Sequence, residues 1–120
     1  MHNFRQLDNW KRARYLVKDI YLACNKLPKY ELYRLTAQMT RCAVSIPSNI
    51  AEGCGRDTDK QTVYFLSIAL GSSFELETQV LLANDLEYFS KELTDKLVED
   101  IQHVQRMTRG FKKKLERNIK

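Results

Sequence analysis

At 120 residues, 43% of them hydrophobic, the chain is long enough for one domain with its own core and needs no disulfide or metal staple. Its three cysteines, Cys24, Cys42 and Cys54, are odd in number and form no CxxC pair, which argues against a disulfide framework or a structural zinc site. Reduced thiols, no apolar signal core in residues 1–6 and no stretch apolar enough to span a bilayer lead to the expectation of a cytoplasmic chain with no membrane partner.

The net charge of +5 is unevenly placed. Residues 1–30 carry seven basic and two acidic side chains, residues 31–60 four of each, residues 61–105 two basic and eight acidic, and residues 106–120 seven basic and one acidic. Such segregation restricts what the folded surface can look like.

The hydrophobic period is helical throughout, and no segment alternates with a period of two. The first helix is expected over residues 8–27, with Asp8 as N-cap, Trp10, Ala13, Val17, Ile20, Cys24 and Leu27 on one stripe, and Pro28 stopping the run. The second is expected over 31–54. Leu32, Leu35, Met39, Cys42, Ile46 and Ile50 form its stripe, and Gly53 and Gly55 end it. Pro47 sits inside that stripe and cannot donate to the carbonyl of Ala43. Either the helix kinks there or a new helix begins with Pro47 in its first turn. The continuous, kinked helix is the expected form.

The third helix, 59–85, opens with Thr58-Asp59-Lys60-Gln61, a capping-box pattern. Between Gln61 and Asn84 its only charged residues are Glu75 and Glu77. At 100° per residue, Val63, Leu66, Leu70, Phe74 and Leu81 share one face, with further apolar residues on the two adjoining faces. One bundle covers about one stripe per helix, so the remainder asks for a second subunit, and Gly71, Ser72 and Ser73 would admit its backbone. A well-buried helix in a monomer is the alternative. The fourth helix, 90–117, carries Leu93, Leu97, Ile101, Val104, Phe111 and Leu115. Short connections give an all-α, antiparallel up-down-up-down four-helix bundle spanning residues 1–120 as one domain.

The run Ser45-Ile46-Pro47-Ser48-Asn49-Ile50-Ala51-Glu52-Gly53 follows Leu35-Thr36-x-Gln38 and precedes Phe65-Leu66-x-Ile68-Ala69-x-Gly71-Ser72-x-x-Glu75-Leu76-Glu77-Thr78-Gln79. Together these resemble the four-helix bundle family of 23S rRNA intervening-sequence proteins over nearly the whole chain. The resemblance implies a ring-like homopentamer. Some members of the family are encoded within intervening sequences of rRNA genes. A related group resembles accessory proteins of diversity-generating retroelements, which bind nucleic acid and a reverse transcriptase. The family motif falls on Ser45, Pro47, Asn49, Glu52, Gly53, Glu75 and Glu77. Because buried polar groups must find partners, an interhelical hydrogen-bond network is expected among some of Asn49, Glu52, Ser73 and Glu77, serving packing rather than catalysis.

Catalytic chemistry is sparse. Asp100-x-x-His103 has the spacing found in di-iron bundles, but those need two His motifs and further glutamates. No metal site, cofactor or enzymatic activity is expected, and Gly53-Cys54-Gly55-Arg56 lacks the context of a phosphate loop. Antiparallel topology instead gathers cations at one pole: Lys11, Arg12 and Arg14, with Arg56, Arg106, Arg109, Lys112, Lys113, Lys114 and Arg117. Asp85, Glu87, Glu92 and Asp95 fall at the other pole. Of these cations, Lys11, Arg12, Arg14, Arg109, Lys112, Lys113, Lys114 and Arg117 are the candidates for gripping RNA or DNA phosphate, without base readout. Tyr15 and Phe111 could add stacking or could be core. The alternatives are helix-dipole compensation with no nucleic acid bound, and a scaffold for another protein.

Overall fold

A computed structural model describes residues 1–119. Four helices, α1 (Asp8–Cys24), α2 (Leu35–Cys54), α3 (Asp59–Asp85) and α4 (Lys91–Glu116), are joined by short connections. Single 3₁₀ turns at Phe4–Gln6 and Lys29–Glu31 precede α1 and α2. α3 starts as expected, the Thr58 hydroxyl accepting from the Gln61 N–H at 3.2 Å, and α4 is capped in the same way, the Ser90 hydroxyl accepting from the Leu93 N–H at 3.1 Å. α1 differs. Its N-cap is Leu7, which offers no side-chain oxygen, and Asp8 is the first helical residue, its carboxylate beside the positive end of the helix.

The α1–α2 connection is longer than expected. α1 stops at Cys24, and α2 begins only at Leu35, after Arg34 leaves the helical region with φ −118° and ψ −104°. A contact from across the molecule holds this stretch. The Tyr88 hydroxyl donates to Glu31 Oε2 at 3.0 Å and lies 3.1 Å from the Tyr30 hydroxyl. Leu32 is consequently about half exposed and is not part of the α2 stripe.

α2 runs without interruption through Pro47, as one helix. In the turn around the proline, Asn49 Nδ2 donates to the Ser45 carbonyl at 2.8 Å and to its hydroxyl at 2.9 Å. The two glycines at its end are not left-handed caps. No glycine among the described residues has positive φ, and Gly55 itself is right-handed at φ −85°. Gly53 has a packing role: a Cβ there would stand 3.0 Å from Phe65 Cβ and 3.1 Å from the Thr62 carbonyl oxygen. The Thr62 hydroxyl donates to the Gly53 carbonyl at 2.8 Å, closing the same seam.

Each helix packs on its two sequence or ring neighbours, α1 on α2, α2 on α3, α3 on α4 and α4 on α1. The partners run in opposite directions along each seam: Cys42 with Gln79 but Ser45 with Ser72, Asn9 with Thr108 but Asp19 with Lys96. This is the up-down-up-down bundle. Its core is led by Leu16, Ile20, Met39, Ile46, Ile50, Leu66, Leu76, Leu97 and Ile101, closed at one end by Phe89. Of the face Val63, Leu66, Leu70, Phe74 and Leu81, α3 buries Leu66 and Leu70 and leaves the last two uncovered. Leu66, Ala69, Ser73, Leu76, Val80 and Ala83 are buried, whereas Phe74 and Leu81 are each 45% exposed. The α2 and α3 backbones approach closely at Gly53, and Ser72 meets Ser45 further along the same seam.

Candidate nucleic-acid interface

The first turns of α1, the end of α2, the start of α3 and the end of α4 meet at one pole. His2 ties them together: its N–H donates to the Cys54 carbonyl at 2.9 Å, its ring nitrogen lies 3.4 Å from Asp59, and its ring meets Phe111 edge-on at 5.4 Å. Lys11, Arg12, Arg14, Arg109, Lys113, Lys114 and Arg117 are exposed there, and Lys112 is half-buried. Among the described residues none of these eight is paired with a carboxylate. Arg56, by contrast, meets Glu52 at 3.4 Å and lies over the Phe65 ring at 4.7 Å.

The fold divides the cations into two surfaces. On α4, Arg106, Arg109, Lys113 and Arg117 recur at helical spacing on one exposed face. Arg106, Arg109, Gly110 and Lys113 line a groove of about 390 Å³ with Gln102 and Gln105, and the Arg109 guanidinium lies 5.8 Å from the Phe74 ring of α3. Beside α1, Lys11 and Arg14 line a cleft of about 670 Å³ with Trp10 and Tyr15 and with Phe4 and Arg5 of the preceding 3₁₀ turn. Lys11 and Tyr15 also line a second cleft of about 340 Å³, shared with Asp8, Arg12, His103 and Met107. Tyr15 is 65% exposed, whereas Phe111 is half-buried against the core.

The opposite pole is mixed rather than acidic. Asp85, Glu87, Glu92 and Asp95 are there, but so are Lys26, Lys29, Arg34 and Lys91, and Lys91 bonds Asp95 at 2.6 Å. The α1–α2 connection supplies Lys26, Lys29 and Arg34, and its tie to Tyr88 is not visible in residues 26–34. Beside it, Tyr21, Leu27, Leu32, Tyr33 and Ala37 line a groove of about 800 Å³.

The expected network among Asn49, Glu52, Ser73 and Glu77 does not form. Each of the four finds a different partner. Asn49 bonds Ser45, whose hydroxyl lies 2.8 Å from that of Ser72 on α3. Ser73 donates to the Leu70 carbonyl of its own helix at 2.6 Å. Glu52 faces Arg56 on the surface. Glu77 accepts from Gln105 Nε2 at 2.9 Å and Gln102 Nε2 at 3.3 Å, joining α3 to α4. On α3, Glu77 meets the glutamines of α4 and Ser72 meets Ser45 of α2. A third polar contact lies on the α2–α3 seam: Gln79 Nε2 donates to Cys42 Sγ at 3.4 Å, and Cys42 Sγ approaches Glu75 Oε2 at 3.9 Å. Burial is the main cause pushing the Cys42 thiol up, so it stays protonated. Sequence reasoning passed over Ser45, Ser72, Gln102 and Gln105 as partners. The i, i+4 pair Ser45/Asn49 and the i, i+3 pair Gln102/Gln105 were the available signals.

Asp100 and His103 do not face one another as a ligand pair. Asp100 bonds Lys96, which also reaches Asp19, and His103 lies in the cleft beside Lys11 and Arg12. No helix among the described residues is long and apolar enough to cross a membrane.

The molecule is thus a four-helix bundle with polar side-chain bonds across its helix seams and unpaired cations at one pole. The family model of the 23S rRNA-intervening sequence protein matches residues 5–110, and the chain belongs to that family. A solved structure from Bacteroides thetaiotaomicron, described as a protein with unknown function from the S23 ribosomal protein family, is similar with a TM-score of 0.79 at 20% identity, covering 88% of this chain and 95% of that one. At that identity the likeness extends to the fold. Among curated proteins none matches the chain.

Proposed function

We propose that the chain is a self-assembling, non-enzymatic accessory protein that grips the phosphate backbone of RNA or DNA through its basic pole. The observation that carries this reading is the set of exposed cations on α1 and α4 without carboxylate partners among the described residues. Solvated cations of this kind can replace the counterions of a polyphosphate, and the released ions drive binding.

Self-assembly is supported by the outward side of α3, where Tyr64, Ile68, Phe74, Leu82 and Leu86 are exposed. Gly71 lies on the same side, and a Cβ there would meet nothing within 4 Å. A glycine inside a helix costs about 1 kcal/mol relative to alanine. Nothing within the chain accounts for that cost, and a second backbone closing on α3 would. A homopentamer is the assembly that the family resemblance implies, and a ring with aligned subunits would repeat the basic pole around its axis.

Binding of a structured RNA and of duplex DNA over a salt series tests the first part. Affinity should fall linearly with salt on logarithmic axes, and replacing Arg109, Lys113 and Arg117 with alanine should reduce the duplex slope by about 2.7. No binding at low salt refutes it. Solution mass tests the second: the native chain should be oligomeric, and Ile68→Glu with Leu82→Glu should shift it to monomer. A monomeric native chain refutes the assembly.

A second reading, a scaffold for a protein such as a reverse transcriptase, is favoured by the tyrosine-rich groove at the other pole. It predicts loss of partner binding on Tyr33→Asp with nucleic-acid affinity unchanged.

A further inference from the structure

Tyr15 stands on a surface unlike the α4 stripe. It and Lys11, one helical turn apart, form a ridge between two clefts. Cations are disposed on both sides: Arg5 and Arg14 in one cleft, Arg12 in the other. Lys18 follows one turn further along the exposed face of α1. The other aromatic rings of the larger cleft are engaged. Phe4 meets Trp10 edge-on at 5.0 Å, and the Arg14 guanidinium lies 5.5 Å from the Trp10 ring. Tyr15 has no such partner among the described residues, and most of its surface is open to solvent.

The carboxylates of this surface are outnumbered. Asp19 and Asp100, which line a further cleft with Arg12 and Tyr15, share Lys96 at 3.5 and 3.4 Å, and Asp8 lies beside Lys11, whereas Arg5, Lys11, Arg12, Arg14 and Lys18 are all exposed cations without a carboxylate partner among the described residues. The local field therefore attracts anions. A phosphate alone needs no open ring at its centre. A nucleotide with an unpaired base uses both features, the ring face for the base and the flanking cations for the phosphates on either side. In a duplex the base faces are already stacked and unavailable to a protruding side chain.

We infer that the Lys11–Tyr15 ridge is a stacking platform for single-stranded nucleic acid, with an unpaired base on Tyr15 and adjacent phosphates held by Lys11, Arg12 and Arg14. This rests on the nucleic-acid reading above and narrows it to unpaired strands. The α1 surface is diagonal to the outward side of α3, because α1 and α3 do not pack on one another. Assembly through α3 therefore does not by itself cover the ridge.

The test uses the full chain and fluorescein-labelled oligothymidine, oligouridine of the same length and a blunt DNA duplex, followed by anisotropy. The chain's single tryptophan, Trp10, lines the cleft and supplies a second readout. Either single strand should quench Trp10 fluorescence and bind more tightly than duplex. Tyr15→Ala should weaken single-strand binding about 5- to 150-fold, with duplex affinity unchanged, and Tyr15→Phe should retain it. Tyr15 is exposed, so both variants should melt with the parent. Equal single-strand affinity in Tyr15→Ala, or no change at Trp10 on saturation, overturns the platform. If duplex still binds with a steep salt dependence, that failure leaves the phosphate-gripping reading standing. If neither strands nor duplex bind at low salt, both readings fall.

Discussion

Replacing Gly53 with alanine sets two fixed contacts against a gain in helix propensity. The new Cβ would stand 3.0 Å from Phe65 Cβ and 3.1 Å from the Thr62 carbonyl oxygen. Both atoms are set by the α3 backbone, and neither can move aside through a side-chain torsion. α3 must retreat by a few tenths of an ångström, which also stretches the 2.8 Å bond from the Thr62 hydroxyl to the Gly53 carbonyl. Overpacking of this kind costs about 1–3 kcal/mol. The alanine gains at most about 1 kcal/mol from propensity, and less in the last turn of α2. The net expectation is destabilisation by about 1–2 kcal/mol. At about 2.1 cal/mol/K of unfolding entropy per residue, a chain of 120 residues loses about 4–8 °C in Tm. Thermal and urea unfolding followed by circular dichroism measure this. Gly110→Ala is the matched control, because a Cβ there meets nothing within 4 Å and only the propensity gain remains. Gly53→Ala melting at or above the parent, or moving in the same direction as Gly110→Ala, would refute the close α2–α3 approach.

Two further outcomes follow from the polar seams and the buried thiols. The Glu77 bonds to Gln102 and Gln105 should be worth about 0.5–1.5 kcal/mol, more if the carboxylate charge strengthens them. A double-mutant cycle of Glu77→Ala and Gln105→Ala should show coupling of that order, and additive losses would exclude a direct bond. Burial pushes the Cys24 thiol up from 9.0 to about 11. Between those values the folded chain keeps a proton that the unfolded chain has lost, so stability should fall as pH rises through this window. Cys42 and Cys54 are raised mainly by burial, and their contribution has the same sign. Cys24→Ala should flatten the alkaline decline in unfolding free energy, and an unchanged slope would place that thiol in a solvated setting.

The four helices, the cap at Thr58 and the passage of α2 through Pro47 were legible in residue spacing, because each depends on atoms within a few residues. The cationic segments were equally legible, since lysine and arginine remain at the surface unless paired. Periodicity fixes the angle of a side chain on its own helix but not the helix that will cover it. That choice was made by tertiary packing, which buried Ala69, Ser73 and Ala83 of α3 along with Leu66 and Leu70 and left Phe74 and Leu81 outside. The same packing placed Glu77 against the glutamines of α4 instead of Asn49. The Tyr88 contact holds Glu31 outside α2, a tie that residues 26–34 by themselves do not show. Tyr15 shows the division most directly. Its position admitted either a core or a stacking role, and the core took Leu16 beside it, leaving the Tyr15 ring exposed near Lys11, Arg12 and Arg14.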